Sequence, residues 1–324
     1  MFHILILLLL GLTTSAQPGG KLASGIESFK AGRFTQAKTI FEEILKANPE
    51  DDQALFYLGR LDLVEDDYSS AVQHFEEALK VNPENSDYHL WLGRALGERL
   101  TYVGMFKKIK LSMKMKKEFE KAVELDSTSI PAHFQMFYLY LHSPAMAGGG
   151  VEKAKKEAEV IQRLNEVEGH LAWAAIYDKA GERGKAREEY RTALGLKPVG
   201  IEAMYNYGIF LQGHKEYDEA VQYFLKILEL DPQNYNAHYQ IGKTHILAEK
   251  GLTEAKYHLQ KCLTLKSADH PSPSRAAVHW RLGQAYYLLD QPQRARQEWE
   301  ESLRLEPNFK EPKESLKNLA PGGR

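Results

Sequence analysis

The chain has 324 residues, enough for about two ordinary domains or one elongated one. A hydrophobic content of 43% supports a folded interior, and the 27% of charged residues nearly cancel to a formal net charge of −2, which excludes the strongly basic footprint of a nucleic-acid-binding domain. Cys262 is the single cysteine, so neither an internal disulfide nor a cysteine-based metal cluster can form.

The N-terminus "MFHILILLLLGLTTSAQ" holds an apolar run from Ile4 to Leu12, followed by small polar residues. That run is short for a bilayer span and fits the apolar core of a signal peptide. Thr14 and Ala16 suit the two small pockets of a signal peptidase, so residues 1–16 are expected to be cleaved and the mature chain exported to a periplasmic or secreted location. The run is preceded by no Lys or Arg, only the terminal amine and His3, so retention as an uncleaved hydrophobic segment stays open. No later stretch is apolar enough to cross a membrane.

From Pro18 onward the chain repeats itself. Leu58-Gly59-Arg60 returns as Leu92-Gly93-Arg94, an offset of 34. With the Leu-Gly pair at positions 7 and 8 of a 34-residue frame, position 8 is Gly25, Gly59, Gly93, Gly208, Gly242 and Gly283. Position 20 is Ala37, Ala71, Ala186 and Ala220 and, after short insertions, Ala154, Ala255 and Ala295. Position 24 is large (Phe41, Phe75, Phe119, Tyr190, Phe224, Trp299), and position 32 is Pro49, Pro83, Pro198, Pro232 and Pro307.

The frame predicts two antiparallel helices per unit, A over positions 2–14 and B over 18–31, with turns at Gly32, Asp66-Asp67 and Gly181. Small residues at 8 and 20 let the two backbones approach, and the bulky residue at 24 and the small residue at 27 (Ala78, Ala122, Ala193) are expected to interlock with the next unit, large into small. Proline at 32 stops helix B. Eight units result: 18–51, 52–85, 86–129, 130–166, 167–200, 201–234, 235–275 and 276–309, with 310–324 as a capping helix and tail. The expected fold is all-α, a right-handed α-solenoid.

These residues resemble the tetratricopeptide repeat over roughly residues 18 to 309. In that family helix A lines a concave groove, through positions 2, 5, 6, 9, 12 and 13, that binds extended peptides or partner helices. The resemblance therefore implies a partner-binding set. Position 5 gives Phe56, Phe134, Tyr205, Tyr239 and Trp280, and position 6 gives Tyr57, Trp91, Asn206, Gln240 and Arg281. Position 9 gives Arg60, Arg94, Tyr138, Lys243 and Gln284. Aromatic, Arg and amide side chains are favoured at binding hot spots. Some of the aromatics can instead be packing between helices. The family's carboxylate clamp, with Lys at 5 and Asn at 6 and 9, is missing, which disfavours a chaperone-tail adaptor.

Two units depart from the frame. In the third, ten residues are inserted between Gly93 and Phe119, and the stretch between Glu98 and Glu118 has six lysines and no acidic residue. On a helix, Lys107, Lys110, Lys114 and Lys117 share one face, while Leu111, Met115, Phe119 and Ala122 form the face that joins the repeat core. Tyr102, Met105, Phe106, Ile109 and Met113 form a further apolar stripe, expected either to fold back over the solenoid or to dock on a partner or an anionic membrane surface.

In the fourth unit Pro144 ends helix A, and Gly148-Gly149-Gly150 precede a helix near Val151. Such a turn has the composition of a phosphate cradle, but neither the Gly-Lys-Ser/Thr ending nor a preceding strand is present. A lengthened turn is expected, with a nucleotide-dependent regulator as the alternative. The Lys-rich insert followed by this turn is similar to exported bacterial tetratricopeptide-repeat proteins of undefined activity.

No catalytic constellation is found: no His-Glu-x-x-His, no Gly-x-Ser-x-Gly, no Walker loop. The twelve histidines read as scattered, and Cys262, at position 27, reads as a buried structural thiol. The sequence points to a non-enzymatic interaction scaffold with no cofactor or metal and a protein or peptide partner.

Overall fold

The computed structural model describes residues 18–100, 103–145, 148–196, 200–265 and 273–319. The signal-peptide reading over residues 1–16 lies outside them, as do Tyr102 and Pro198. Helices follow one another in pairs: α1 (Pro18–Lys30) and α2 (Phe34–Ala47), α3 (Asp52–Val64) and α4 (Tyr68–Val81), α5 (Ser86–Arg99) and α6 (Met105–Leu125), α7 (Ile130–His142) and α8 (Val151–Leu164). The series continues with α9 (Glu166–Lys179) and α10 (Arg183–Gly195), α11 (Ile201–Gly213) and α12 (Tyr217–Leu230), α13 (Tyr235–Leu247) and α14 (Leu252–Thr264), α15 (Arg275–Leu288) and α16 (Pro292–Leu305). A short α17 (Lys310–Asn318) closes the stack, and among the described residues there is no strand. The protein is a right-handed α-solenoid of about eight helix-turn-helix repeats with a C-terminal capping helix.

Local chemistry punctuates the repeats. Asp51, Asn85, Ser129, Asn165, Asn234 and Ser274 each accept the amide of the third helical residue of an A helix, satisfying a donor that the helix cannot. The B helices α2, α4, α12 and α16 end two residues before Pro49, Pro83, Pro232 and Pro307, where the missing N–H forbids continuation. Between A and B the chain reverses through a left-handed residue at position 15. Glycine fills it at Gly32 (φ 69°) and Gly181 (φ 77°), but Asp66, Lys215, Glu249 and Asp290 also adopt it, with φ of 50° to 62°.

The A–B interface is built on one contact. A β-carbon added to Gly25, Gly59, Gly93 or Gly208 would lie 2.3–2.8 Å from the position-24 phenylalanine of the same repeat: Phe41, Phe75, Phe119 or Phe224. At Gly242 the neighbour is Leu259 at 2.6 Å, and at Gly283 it is Trp299 at 2.4 Å. Position 24 thus makes a contact within its own repeat besides the expected one to the next unit. The ring lies on the glycine of its own repeat, and its edge then reaches the next one, as Phe75 does toward Trp91 (centroids 6.5 Å apart). The fourth repeat reverses the sizes: Phe137 stands at position 8 and Ala158 at position 24, both fully buried in one cluster.

The last repeats are closed by α17. Leu316 and Leu319 join Tyr239, Leu259, Val278 and Trp299 in one cluster, so the terminal apolar face is covered. Cys262 is buried, its Sγ 3.6 Å from the Tyr235 carbonyl, and burial pushes its thiol up to about 12.

The glycine contact yields a paired prediction. Gly59→Ala forces a methyl into the Phe75 ring and is expected to cost about 1–3 kcal/mol. Gly184→Ala, in α10 with nothing within 4 Å of its added carbon, is expected to gain about 0.5–1 kcal/mol through backbone entropy. Denaturant unfolding of the full chain reads both.

Candidate functional site

The A helices present one face to the inside of the curve, and the expected groove residues divide by burial. Phe56, Tyr239 and Gln240 are buried, which removes them from the partner-binding set. Phe56 stacks on Tyr88 at 4.8 Å and meets Trp91 edge-on, sealing the joint between the second and third repeats. Gln240 donates from Nε2 to the Tyr205 hydroxyl at 2.9 Å and accepts from Gln212 Nε2 at 3.3 Å, tying the sixth repeat to the seventh. Position 5 thus faces the seam between neighbouring A helices more than the open groove.

The other positions remain half-exposed. Arg60 lays its guanidinium between the rings of Phe29 (4.7 Å) and Trp91 (4.3 Å), and Arg94 covers Trp91 at 4.8 Å. Tyr57 lies flat on Phe41 at 5.2 Å. Stacking of this kind fixes the guanidinium planes at little further entropic cost. At the far end Arg281 covers Trp280 at 4.0 Å, and Trp280 packs on Phe309 of the capping region at 5.6 Å. Phe134 stacks on Tyr138 at 5.9 Å, and Asn206 is half-exposed on α11.

Between the third and fourth repeats the inner face deepens into a cavity of about 360 Å³. Arg94 and Gly97 of α5 form one wall, Gln135, Tyr138 and His142 of α7 the other, and Met115 and Phe119 of α6 the floor. Tyr138 is 40% exposed and stacks on His142 at 6.0 Å. Burial, then the charges of Glu202 and Glu168, push its hydroxyl up to about 12, so it stays a hydrogen-bond donor at any working pH.

Glu168 and Glu202, at position 2 of consecutive repeats, were not singled out from the sequence although position 2 faces the groove. One carboxylate oxygen of Glu168 is shielded from water without a hydrogen-bond partner. Its pKa rises to about 7 through burial and then the charge of Glu202, which is itself raised by burial. Toward the C-terminal end, burial and then the charge of Arg281 lower the pKa of Lys243. The groove therefore runs from guanidiniums, past paired carboxylates, to a second cationic zone.

The Gly148–Gly150 turn spends its amides internally. Gly148, Gly149 and Gly150 donate to the carbonyls of Ala145, Pro144 and Tyr140 at 2.9, 3.1 and 2.9 Å. A β-carbon on Gly149 would lie 1.9 Å from the Ser143 carbonyl oxygen, so the glycine is there for close backbone approach.

The histidines are not scattered in space. Where position 4 is His and position 23 is Glu, the two side chains meet across the A–B interface: His89–Glu118, His133–Glu157, His170–Glu189 and His279–Glu298, with Nδ1 to Oε2 distances of 2.6–2.7 Å. These glutamates are partners inside the repeat. At His89 and His133 the second nitrogen also meets an acceptor, the Pro83 and Ser127 carbonyls at 2.9 and 3.0 Å. An acceptor at each ring nitrogen favours the doubly protonated ring. At His89 burial is the largest influence and acts downward, but the hydrogen bonds to Glu118 and Pro83 outweigh it, and its pKa rises. The Glu157 hydrogen bond raises that of His133.

The seventh repeat replaces the glutamate with His258, whose Nδ1 lies 2.8 Å from His238 Nδ1. His238 Nε2 donates to the Pro232 carbonyl at 3.2 Å, so its Nδ1 accepts and His258 donates; both rings are neutral. Burial, then the charge of His238, lower His258 to about 4.

These opposed shifts give opposed pH effects. The His133 contribution is complete below the unfolded histidine pKa and is lost as pH rises through its raised folded value. The His258 contribution is present above about 6.5 and is lost as pH falls toward 4. His258→Glu is expected to convert the seventh repeat to the charged pairing and to stabilise the chain at pH 5 relative to pH 8 by about 1–2 kcal/mol, screened because the site is half-exposed. Thermal melts at the two pH values read the difference.

Models of the tetratricopeptide repeat match residues 22–63, 171–235 and 276–309, and a model described as Regulator of microtubule dynamics protein 1-3 matches residues 65–140. The Type IV pilus assembly protein PilF of Pseudomonas aeruginosa is 28% identical over 132 residues, 40% of this chain and 52% of that protein. The general transcriptional corepressor ssn6 of Schizosaccharomyces pombe is 23% identical over 142 residues, 42% of this chain and 12% of that protein. The chain therefore matches about half the length of the first relative and much less of the second. The crystal structure of yeast Tom70 superposes on 97% of this chain and 66% of its own, with a TM-score of 0.65 at 16% identity. The APC/C hetero-tetramer Cut9-Hcn1 does so over 95% and 57%, with a TM-score of 0.52 at 17% identity. With the glycine-ring ladder, the proline stops and the repeat models in agreement, the chain is a tetratricopeptide-repeat protein.

Proposed function

We propose that the chain is a non-catalytic interaction scaffold, exported to the cell envelope, that holds an extended peptide or a helix of a protein partner in its concave groove. The observation that carries this reading is the pocket between the third and fourth repeats. Arg94, Gln135 and Tyr138 offer donors around an apolar floor, the composition of a binding hot spot. Tetratricopeptide-repeat proteins generally mediate protein–protein interactions. Arg94, Gln135 and Tyr138 of the pocket fall within residues 65–140, which match a model apart from the general repeat ones. The likeness to a protein named for pilus assembly supports an assembly role. The apolar N-terminal run supports export.

A photo-crosslinking residue placed at Gln135 is expected to capture a discrete partner in the native host, and Arg94→Ala with Tyr138→Ala is expected to reduce capture at least tenfold. Equal capture from the outer-face position Glu159 would contradict the groove. Intact mass spectrometry of the chain from envelope fractions is expected to show a mature N-terminus at Gln17. A cytosolic chain retaining residues 1–16 would contradict export.

A further inference from the structure

Helix α6 has 21 residues where most B helices of the solenoid have 13 or 14. Its inward face is occupied: Phe119 and Ala122 are buried, and Leu111 and Met115 pack on the core clusters. At 3.6 residues per turn, Phe106, Ile109 and Met113 fall together on the opposite side. They are 91%, 56% and 70% exposed, so the apolar stripe does not fold back over the solenoid. Tyr102 and the Met105 side chain lie outside the described part of the structure.

The charges beside this stripe are of one sign. Lys114 is tied to Glu76 of α4, and Lys116 pairs with Glu120. Lys107, Lys110 and Lys117 are exposed and make no ion pair among the described residues. The nearest carboxylate on the helix, Glu118, is bonded to His89. A chain of net charge −2 thus concentrates unneutralised positive charge around an exposed apolar ridge.

We infer that the N-terminal half of α6 is a docking surface for an anionic lipid bilayer, with Phe106, Ile109 and Met113 entering the interface and Lys107, Lys110 and Lys117 at headgroup level. Charge complementarity selects an anionic occupant. The form of the surface selects a membrane over a folded protein: the stripe is a ridge with its leading ring almost wholly in solvent, and a fluid interface accepts such a ridge without a preformed cavity. The negative remainder of the chain is repelled by the same surface, which orients the solenoid with this helix toward it. This goes beyond the groove reading, since α6 contributes only its opposite face to the pocket floor.

Vesicle flotation of the full chain tests the assignment, with phosphatidylcholine alone and with added phosphatidylglycerol. The native chain is expected to float with the anionic vesicles only and to be released by high salt. Lys107→Glu, Lys110→Glu and Lys117→Glu together are expected to weaken binding at least a hundredfold, from roughly fivefold per lysine lost. Phe106→Ser with Met113→Ser is expected to weaken it at least tenfold, and Arg94→Ala with Tyr138→Ala to leave it unchanged. Phe106→Trp, a mild change at an exposed site, is expected to blue-shift its fluorescence on anionic vesicles. Absence of native flotation, equal flotation on phosphatidylcholine, or indifference to the Ser variants overturns the assignment, whatever soluble polyanion the helix then binds.

Discussion

The solenoid depends on a bulky side chain packed against a glycine. At Gly59 or Gly93 the absence of a β-carbon is what allows Phe75 or Phe119 to occupy the space between the helices of a repeat. That contact sets the distance between A and B, and repetition at nearly every joint sets the curve. The fourth repeat obeys the same rule with the sizes exchanged, Phe137 against Ala158. What is kept is a small residue facing a larger one across the joint, so that the interior closes without a void.

The groove and the charge pairs follow from that spacing. With A and B held close, positions 4 and 23 come within hydrogen-bond reach, and His–Glu pairs form across the interface in four repeats. Their rings are largely shielded between the two helices of each repeat. Arg60, Trp91 and Arg94 then stack in succession along the inner wall, and Tyr138 meets Arg94 around one pocket. The seventh repeat, with His258 in place of the glutamate, keeps the geometry but reverses its response to pH.

The sequence made much of this architecture legible, because glycine, alanine and proline act locally and recur at fixed offsets. Pro49 or Pro83 stops a B helix because it lacks the N–H the next turn needs, and a glycine at position 8 signals a close approach whatever fills it. The placement of position 5 was not legible. Whether Phe56 or Tyr239 faces the groove or the seam depends on the rotation between successive repeats, which a one-dimensional frame does not carry. Gln240 was likewise read as a groove residue, yet it serves the joint to Tyr205. The His–Glu pairs were hidden because their members stand 19 to 29 residues apart on different helices, with no helical period joining them. Aligned by repeat position they are visible, and position 2 would have disclosed Glu168 and Glu202 in the same way.

The most direct measurement of the central contact is a double-mutant cycle between Gly59→Ala and Phe75→Leu, read by denaturant unfolding of the full chain. The smaller side chain opens the space that the added β-carbon needs. If the ring on the glycine fixes the helix spacing, the double variant loses about 1–2 kcal/mol less than the two single losses combined. Simple additivity of the two losses would contradict the account.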